Sequence, residues 1–179
     1  MERRRRMKDF FNAIRLPLKK VPLFKTAVHT AALFFCGLLT GITIKLLDLH
    51  NPYLGDIFSQ LSVWIFLGTV IAVYSSSPKR ASVNVFFFCV GMLITYYLTA
   101  EFTSSVYSWT FIYGWTFFSC CSPVFAFLTW YAKGKGWFAK LIAVGIVICM
   151  LAAAVLLFDK IRAADLFLSI AALIILLKK

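Results

Sequence analysis

Apolar residues fill this chain in runs about as long as a bilayer crossing, each closed by a short polar or basic stretch. Because about twenty consecutive apolar residues cross the hydrocarbon core as an α-helix, spans are predicted near 26–47, 57–75, 82–101, 106–131, 138–158 and 163–177. The last is short but uninterrupted; if it lies flat on the membrane, the count falls to five. The intervening stretches are too short for a soluble domain, and no internal repeat is evident. The expected fold class is therefore all-α: an integral membrane bundle of about six transmembrane helices over 26–179, preceded by a basic amphipathic segment over 1–25.

That first segment carries the run Arg3-Arg4-Arg5-Arg6 and Lys8, with Phe10, Phe11, Ile14 and Leu18 at near-helical spacing. Such a pattern suits a short helix lying on anionic lipid headgroups. Pro17 and Pro22 then interrupt the helix before the first span. A signal peptide also opens on basic residues. Here, however, the apolar run is of full span length, and no small-x-small site precedes Asp48, so no cleavage is expected.

Composition supports the membrane assignment: 61% of the 179 residues are hydrophobic and 17% aromatic, with a mean hydropathy of +0.86, whereas soluble domains are about 45–50% apolar. The formal charge of +12 would suggest nucleic acid in a soluble protein. Its distribution excludes that partner. With the N-terminus inside, Lys79, Arg80, Lys133, Lys135, Lys140, Lys178 and Lys179 join the N-terminal cations on the cytoplasmic side, and only Lys45, Lys160 and Arg162 lie outside. Asp48, Asp56, Glu101, Asp159 and Asp165 also fall outside. Both termini are thus expected to be cytoplasmic.

Chemistry-bearing motifs are sparse. Cys36, Cys89, Cys120, Cys121 and Cys149 lie inside apolar runs without metal-ligand spacing and read as small packing residues. His29 and His50 have no carboxylate or second histidine at ligand spacing, so no metal or cofactor is expected. Neither a G-x-S-x-G elbow, an H-E-x-x-H pair nor a phosphate-binding glycine loop occurs, and Gly134-Lys135-Gly136 is too short for one. An intramembrane enzyme is the least supported reading. Asn84 is expected to hydrogen-bond between helices, and Pro123 to kink its helix and free a carbonyl.

Two features rise above this background. Ala27-x-x-x-Ala31 and Gly37-x-x-x-Gly41 place small residues along the first span, either for packing within the bundle or for docking a partner. At the outer level, Asp56, Gln60, Trp64, Tyr96, Tyr97, Glu101, Tyr107, Trp109 and Tyr113 gather aromatic rings and carboxylates. Interfacial anchoring accounts for some of them. Their density suggests an outward-facing pocket for a small organic or cationic solute.

Six short-looped spans, cytoplasmic termini, this chain length and Ala27-x-x-x-Ala31 resemble the substrate-binding S-components of energy-coupling-factor transporters. The resemblance implies that the alanine face of span one packs on a membrane coupling subunit served by ATPases, that the ligand site opens outward, and that the protein resides in a bacterial cytoplasmic membrane. The expected function is therefore a small-solute-binding subunit of a membrane transporter. The alternative is a membrane scaffold whose basic N-terminus reads anionic lipid or an acidic partner.

Overall fold

The computed structural model describes residues 2–17, 22–58, 60–103, 105 and 109–178. Leu23–His50 forms the longest helix, α2, because nothing within it breaks the run: it holds no proline, and Pro22 sits just before its first turn. At about 1.5 Å per residue its 28 residues reach about 42 Å, more than the ~30 Å of a hydrocarbon core. Before it lies α1 (Glu2–Ile14), and after it come α3 (Pro52–Phe58), α4 (Leu61–Tyr74), α5 (Pro78–Phe102), α6 (Trp109–Ala132), α7 (Trp137–Phe158) and α8 (Ala163–Leu177). No strand occurs among the described residues.

Four helices, α2, α5, α6 and α7, are long and apolar enough to cross a membrane, while α4 and α8 are shorter apolar helices. The run expected as one span over 57–75 is split: Gln60 is extended (φ −74°, ψ 142°), separating α3 from a 14-residue α4. Large side chains such as Phe35, Leu39, Phe117, Ile148, Leu156 and Phe167 point outward. In water such a surface would aggregate; facing lipid, it is solvated.

In the order α2, α4, α5, α6, α7, α8 the helices alternate in direction, so that α2 runs parallel to α5. The end of α1, the ends of α4 and α6 and the start of α7 gather at one end of the bundle, called here the near end. The starts of α4 and α8 meet at the far end, where α3 also lies.

The tightest helix pair is α2 with α5, and glycine explains it. A Cβ on Gly37 would strike the Phe88 carbonyl, and one on Gly41 the Met92 carbonyl; a Cβ on Gly91, across the seam, would meet Phe34. With the backbones this close, Thr95 Oγ1 reaches across to Leu38 O at 2.7 Å. Small residues give van der Waals contact where lipid offers no hydrophobic drive. Ala27 and Ala31, by contrast, are exposed. Ten residues along an α-helix leave the alanine pair about 80° round from the glycine pair, so the small residues form two separate faces of α2.

Two sequence irregularities resolve into hydrogen bonds. Asn84 accepts from Thr30 Oγ1 of α2 (2.7 Å) and donates to Ser75 Oγ at the end of α4 (3.0 Å), the interhelical role its position predicts. Pro123 lies inside α6, which runs on past it. Its missing N–H deprives Ser119 O of the usual partner, and Ser122 Oγ donates to that oxygen instead (2.8 Å). Pro123 O itself accepts from Ser82 Oγ (2.7 Å).

Among the cysteines expected as packing residues, Cys89 is buried, whereas Cys36, Cys120 and Cys149 are exposed. Apolar thiols are tolerated there for the same reason as Leu or Phe.

Candidate functional site

The far-end residues singled out in the sequence separate into three groups. Trp64, Tyr96 and Tyr97 come together with Ile44, Leu93 and Trp115 around a narrow cleft of about 20 Å³. Trp64 stacks on Trp115, ring centroids 4.5 Å apart and 26° from parallel. The Lys45 ammonium joins this corner, buried, 2.8 Å from Asp48 Oδ2 and 5.3 Å from the Tyr96 ring centre. Trp109 and Tyr113 form the second group, exposed on the flank of α6 with their rings 6.3 Å apart, and Glu101 is exposed at the end of α5. Tyr107 and the side chain of Asp56 lie outside the described residues, as do the side chains of Arg3, Arg4, Arg5 and Lys8; Arg6 is exposed on α1.

Gln60 belongs to a third, unforeseen group. Asp165, with no exposed surface, lies in the first turn of α8, and its carboxylate accepts from Ser62 Oγ in the first turn of α4 and from the backbone N–H of Arg162 (3.0 Å). The amide of Gln60 completes the set: oriented by its partners, its nitrogen donates to both Asp165 oxygens (2.7 and 3.1 Å), and its oxygen accepts from Nη1 and Nε of Arg162 (2.9 and 3.1 Å). One carboxylate thereby serves the positive N-terminal ends of two helices at once. This closed network lets α4 and α8 begin inside the bundle.

A roomier cavity, of about 340 Å³, lies along α4 from Trp64, between α4, α5, α6 and α7. Its lining follows helical periodicity: Trp64, Ile65, Gly68 and Thr69 on α4, Phe118, Ser122, Phe125, Ala126 and Thr129 on α6, and Ile142, Gly145, Ile146 and Cys149 on α7. Small side chains explain the space, for a Cβ added at Gly145 would meet nothing within 4 Å. Phe125, Leu128 and Cys149 are exposed as well as lining, so the cavity opens sideways between α6 and α7. The sequence signal was present in Gly68, Ser122, Ala126, Gly145 and Cys149, but nothing in it said which faces meet.

At the near end, the segment after α1 fastens the bundle. Arg15 Nη1 donates to Trp130 O (2.6 Å) and Nη2 to Val73 O (2.9 Å), among the last carbonyls of α6 and α4, while the guanidinium lies 4.1 Å from the Trp130 ring centre. A cation at two helix C-termini meets unpaired carbonyls and negative dipole ends together. Burial draws the Arg15 pKa below its ordinary value, yet a guanidinium stays charged. Trp130 Nε1 donates to Ser75 O (2.7 Å), and Lys135 N donates to Ile14 O (2.7 Å). Phe11 packs on Tyr131 and Phe127, and Phe10 on Phe138, so part of the expected lipid-facing side of α1 lies on protein.

Arg15→Ala should detach this segment. Hydrogen bonds to a charged group contribute about 1.5–3 kcal/mol, so tryptic cleavage between α1 and α2 should become at least about tenfold faster. Cleavage at the wild-type rate would mean that Arg15 does not hold the segment.

No family model, curated protein or solved structure matches the chain. What fold and composition define is an all-α membrane protein with four helices long enough to span a bilayer, arranged about a sideways-opening apolar cavity.

Proposed function

We propose that the chain crosses the bilayer six times with both ends cytoplasmic, and that it binds a small, mostly apolar molecule in the cavity between α4, α5, α6 and α7. The cavity carries this reading. Ligand sites run about 300–1,000 Å³ and are mostly apolar with few polar groups, and this one has about 340 Å³ lined chiefly by aliphatic and aromatic side chains. The cleft by Tyr96 and Tyr97, at about 20 Å³, has room for little beyond a water molecule. An outward aromatic and acidic pocket for a polar solute therefore has less support than an apolar site beneath it.

The topology is supported by charge: Lys45, Lys160 and Arg162 are the cations of far-end segments, and the other Lys and Arg fall in near-end segments by sequence. With the near end cytoplasmic, α4 and α8, about 21 and 22 Å long, cross as short spans, their buried polar starts standing in for headgroup contacts. As the ligand-holding subunit of a transporter, the chain would leave the exposed Ala27 and Ala31 face of α2 for a coupling partner.

Equilibrium dialysis of 2-ethylnaphthalene against the protein in detergent, with empty micelles as reference, tests the site. Gly145→Leu fills the cavity at a position where added atoms meet open space and improves helix propensity. Saturable one-to-one binding to the wild type, reduced about tenfold or more in Gly145→Leu, is expected. Binding no greater than to micelles, or binding indifferent to Gly145→Leu, would refute the site.

A further inference from the structure

For a bulky molecule to pass between α6 and α7, the near-end halves of these helices must shift, and each helix is weakened at the level of the cavity. Pro123, between the lining residues Ser122 and Phe125, takes one backbone hydrogen bond out of α6, and Gly145, itself a lining residue, interrupts the apolar run of α7. From there toward the near end, α1 holds both halves. Phe10 packs edge-on against Phe138 of α7, ring centroids 5.6 Å apart, and its neighbour Phe11 meets Tyr131 and Phe127 of α6 at 4.9 and 6.3 Å. Consecutive residues diverge by about 100° on a helix, which lets this pair reach two helices at once. Phe138 lies one turn before Ile142, and Tyr131 two residues after Thr129, so these contacts stand at the near-end limit of the cavity lining. Ile14 O also accepts from Lys135 N (2.7 Å), in the loop that joins α6 to α7.

The two ends of this segment are held unequally. After α1, the Arg15 guanidinium is bonded to Trp130 O and Val73 O. Within α1, the sequence opens on charged residues, and Phe10 remains 51% exposed although it touches Phe138. A helix anchored firmly at one end and resting by a few rings on two helices can lift without unfolding the bundle. We infer that α1 is a strap on the near-end halves of α6 and α7 and that it controls passage between the cavity and the bilayer. With Phe10 and Phe11 seated, the two halves stay in place and the occupant exchanges slowly; with the rings lifted, α6 and α7 part and a lipid-soluble molecule passes. The inference rests on the cavity being the ligand site. No residue of α1 lines the cavity, so the strap adds no contact to the occupant. A ligand with equal affinity for two states leaves their balance unchanged, so the strap sets the rates of entry and release and leaves affinity alone.

The test separates rate from affinity. The full chain in detergent is loaded with 2-ethylnaphthalene and mixed rapidly with excess micelles of a brominated detergent, which quench the fluorescence of released probe; equilibrium dialysis gives the affinity of the same samples. The double variant Phe10→Ala, Phe11→Ala removes the rings of the strap and leaves Arg15, which also ties α4 to α6, in place. Phe117→Ala is the control, an exposed aromatic on the far half of α6 that lines no part of the cavity. Release from the double variant should be about tenfold faster than from the wild type, the order expected when several aromatic contacts are lost, with affinity within twofold; Phe117→Ala should match the wild type in both. Unchanged release from the double variant, acceleration matched by Phe117→Ala, or faster release with a parallel loss of affinity would overturn the strap and leave the cavity reading standing. Failure of the probe to bind the wild type would remove the cavity reading and the strap with it.

Discussion

Asp165→Ala is expected to lower the stability of the bundle by about 3–5 kcal/mol, the cost of removing one partner from a buried charged network. The loss is large because three donor groups, making four contacts, lose their acceptor together: Ser62 Oγ, the Arg162 backbone N–H and the Gln60 amide nitrogen with its two contacts. Arg162, tied to the same amide, is then left partly buried near two helix N-termini, where a cation is unfavourable. Asp165→Asn keeps the shape and one acceptor and should lose less. Unfolding in mixed micelles, followed by circular dichroism, measures all three proteins. A loss below about 1 kcal/mol in Asp165→Ala would mean that the network is not what holds α4 to α8.

Gly41→Leu should cost about 3 kcal/mol or more, the upper end for overpacking, because even the first added atom would collide with the Met92 carbonyl on α5. Backbone cannot swing aside as a flexible side chain does. The α2–α5 seam must open, and with it the Thr95 to Leu38 hydrogen bond is lost. Gly145→Leu is the internal control, since the same side chain enters open space on α7. Thermal unfolding of the two variants side by side decides: equal stability would show that glycine at position 41 is not required by the close approach.

Most of the helices were legible because lipid imposes one rule along the whole chain: a crossing backbone must satisfy its own hydrogen bonds, and so reads as a long apolar run. The predicted run over 163–177 coincides with α8, and the others fall within a few residues of observed helices except where Gln60 divides 57–75. That division was hidden because the residues compensating for it are distant in sequence. Asp165 and Arg162 lie about a hundred positions from Gln60 and Ser62, and read alone they are ordinary loop charges. Arg15 was likewise one cation in a basic segment, and nothing local announced that it would cap α4 and α6.

The candidate site was legible in part. Trp64 was singled out for a place near Glu101, and in the structure it stacks on Trp115 and lines the cavity. Aromatic density marks an interface as readily as a pocket, which is why Trp109 and Tyr113 were drawn in although they face outward. The cavity itself depends on small residues from separate helices meeting, and periodicity within one helix cannot supply that pairing. The small-residue faces of α2 show the same limit, since spacing identified both pairs without telling which one α5 would cover.

Native mass spectrometry of the protein released from membrane nanodiscs, compared with Gly145→Leu prepared identically, tests the central claim most directly. The wild type should carry one small, apolar, non-phospholipid molecule per chain, and Gly145→Leu should carry none. A wild-type spectrum showing bare protein with only phospholipid adducts, matched by Gly145→Leu, would contradict the claim that this bundle is built around a ligand.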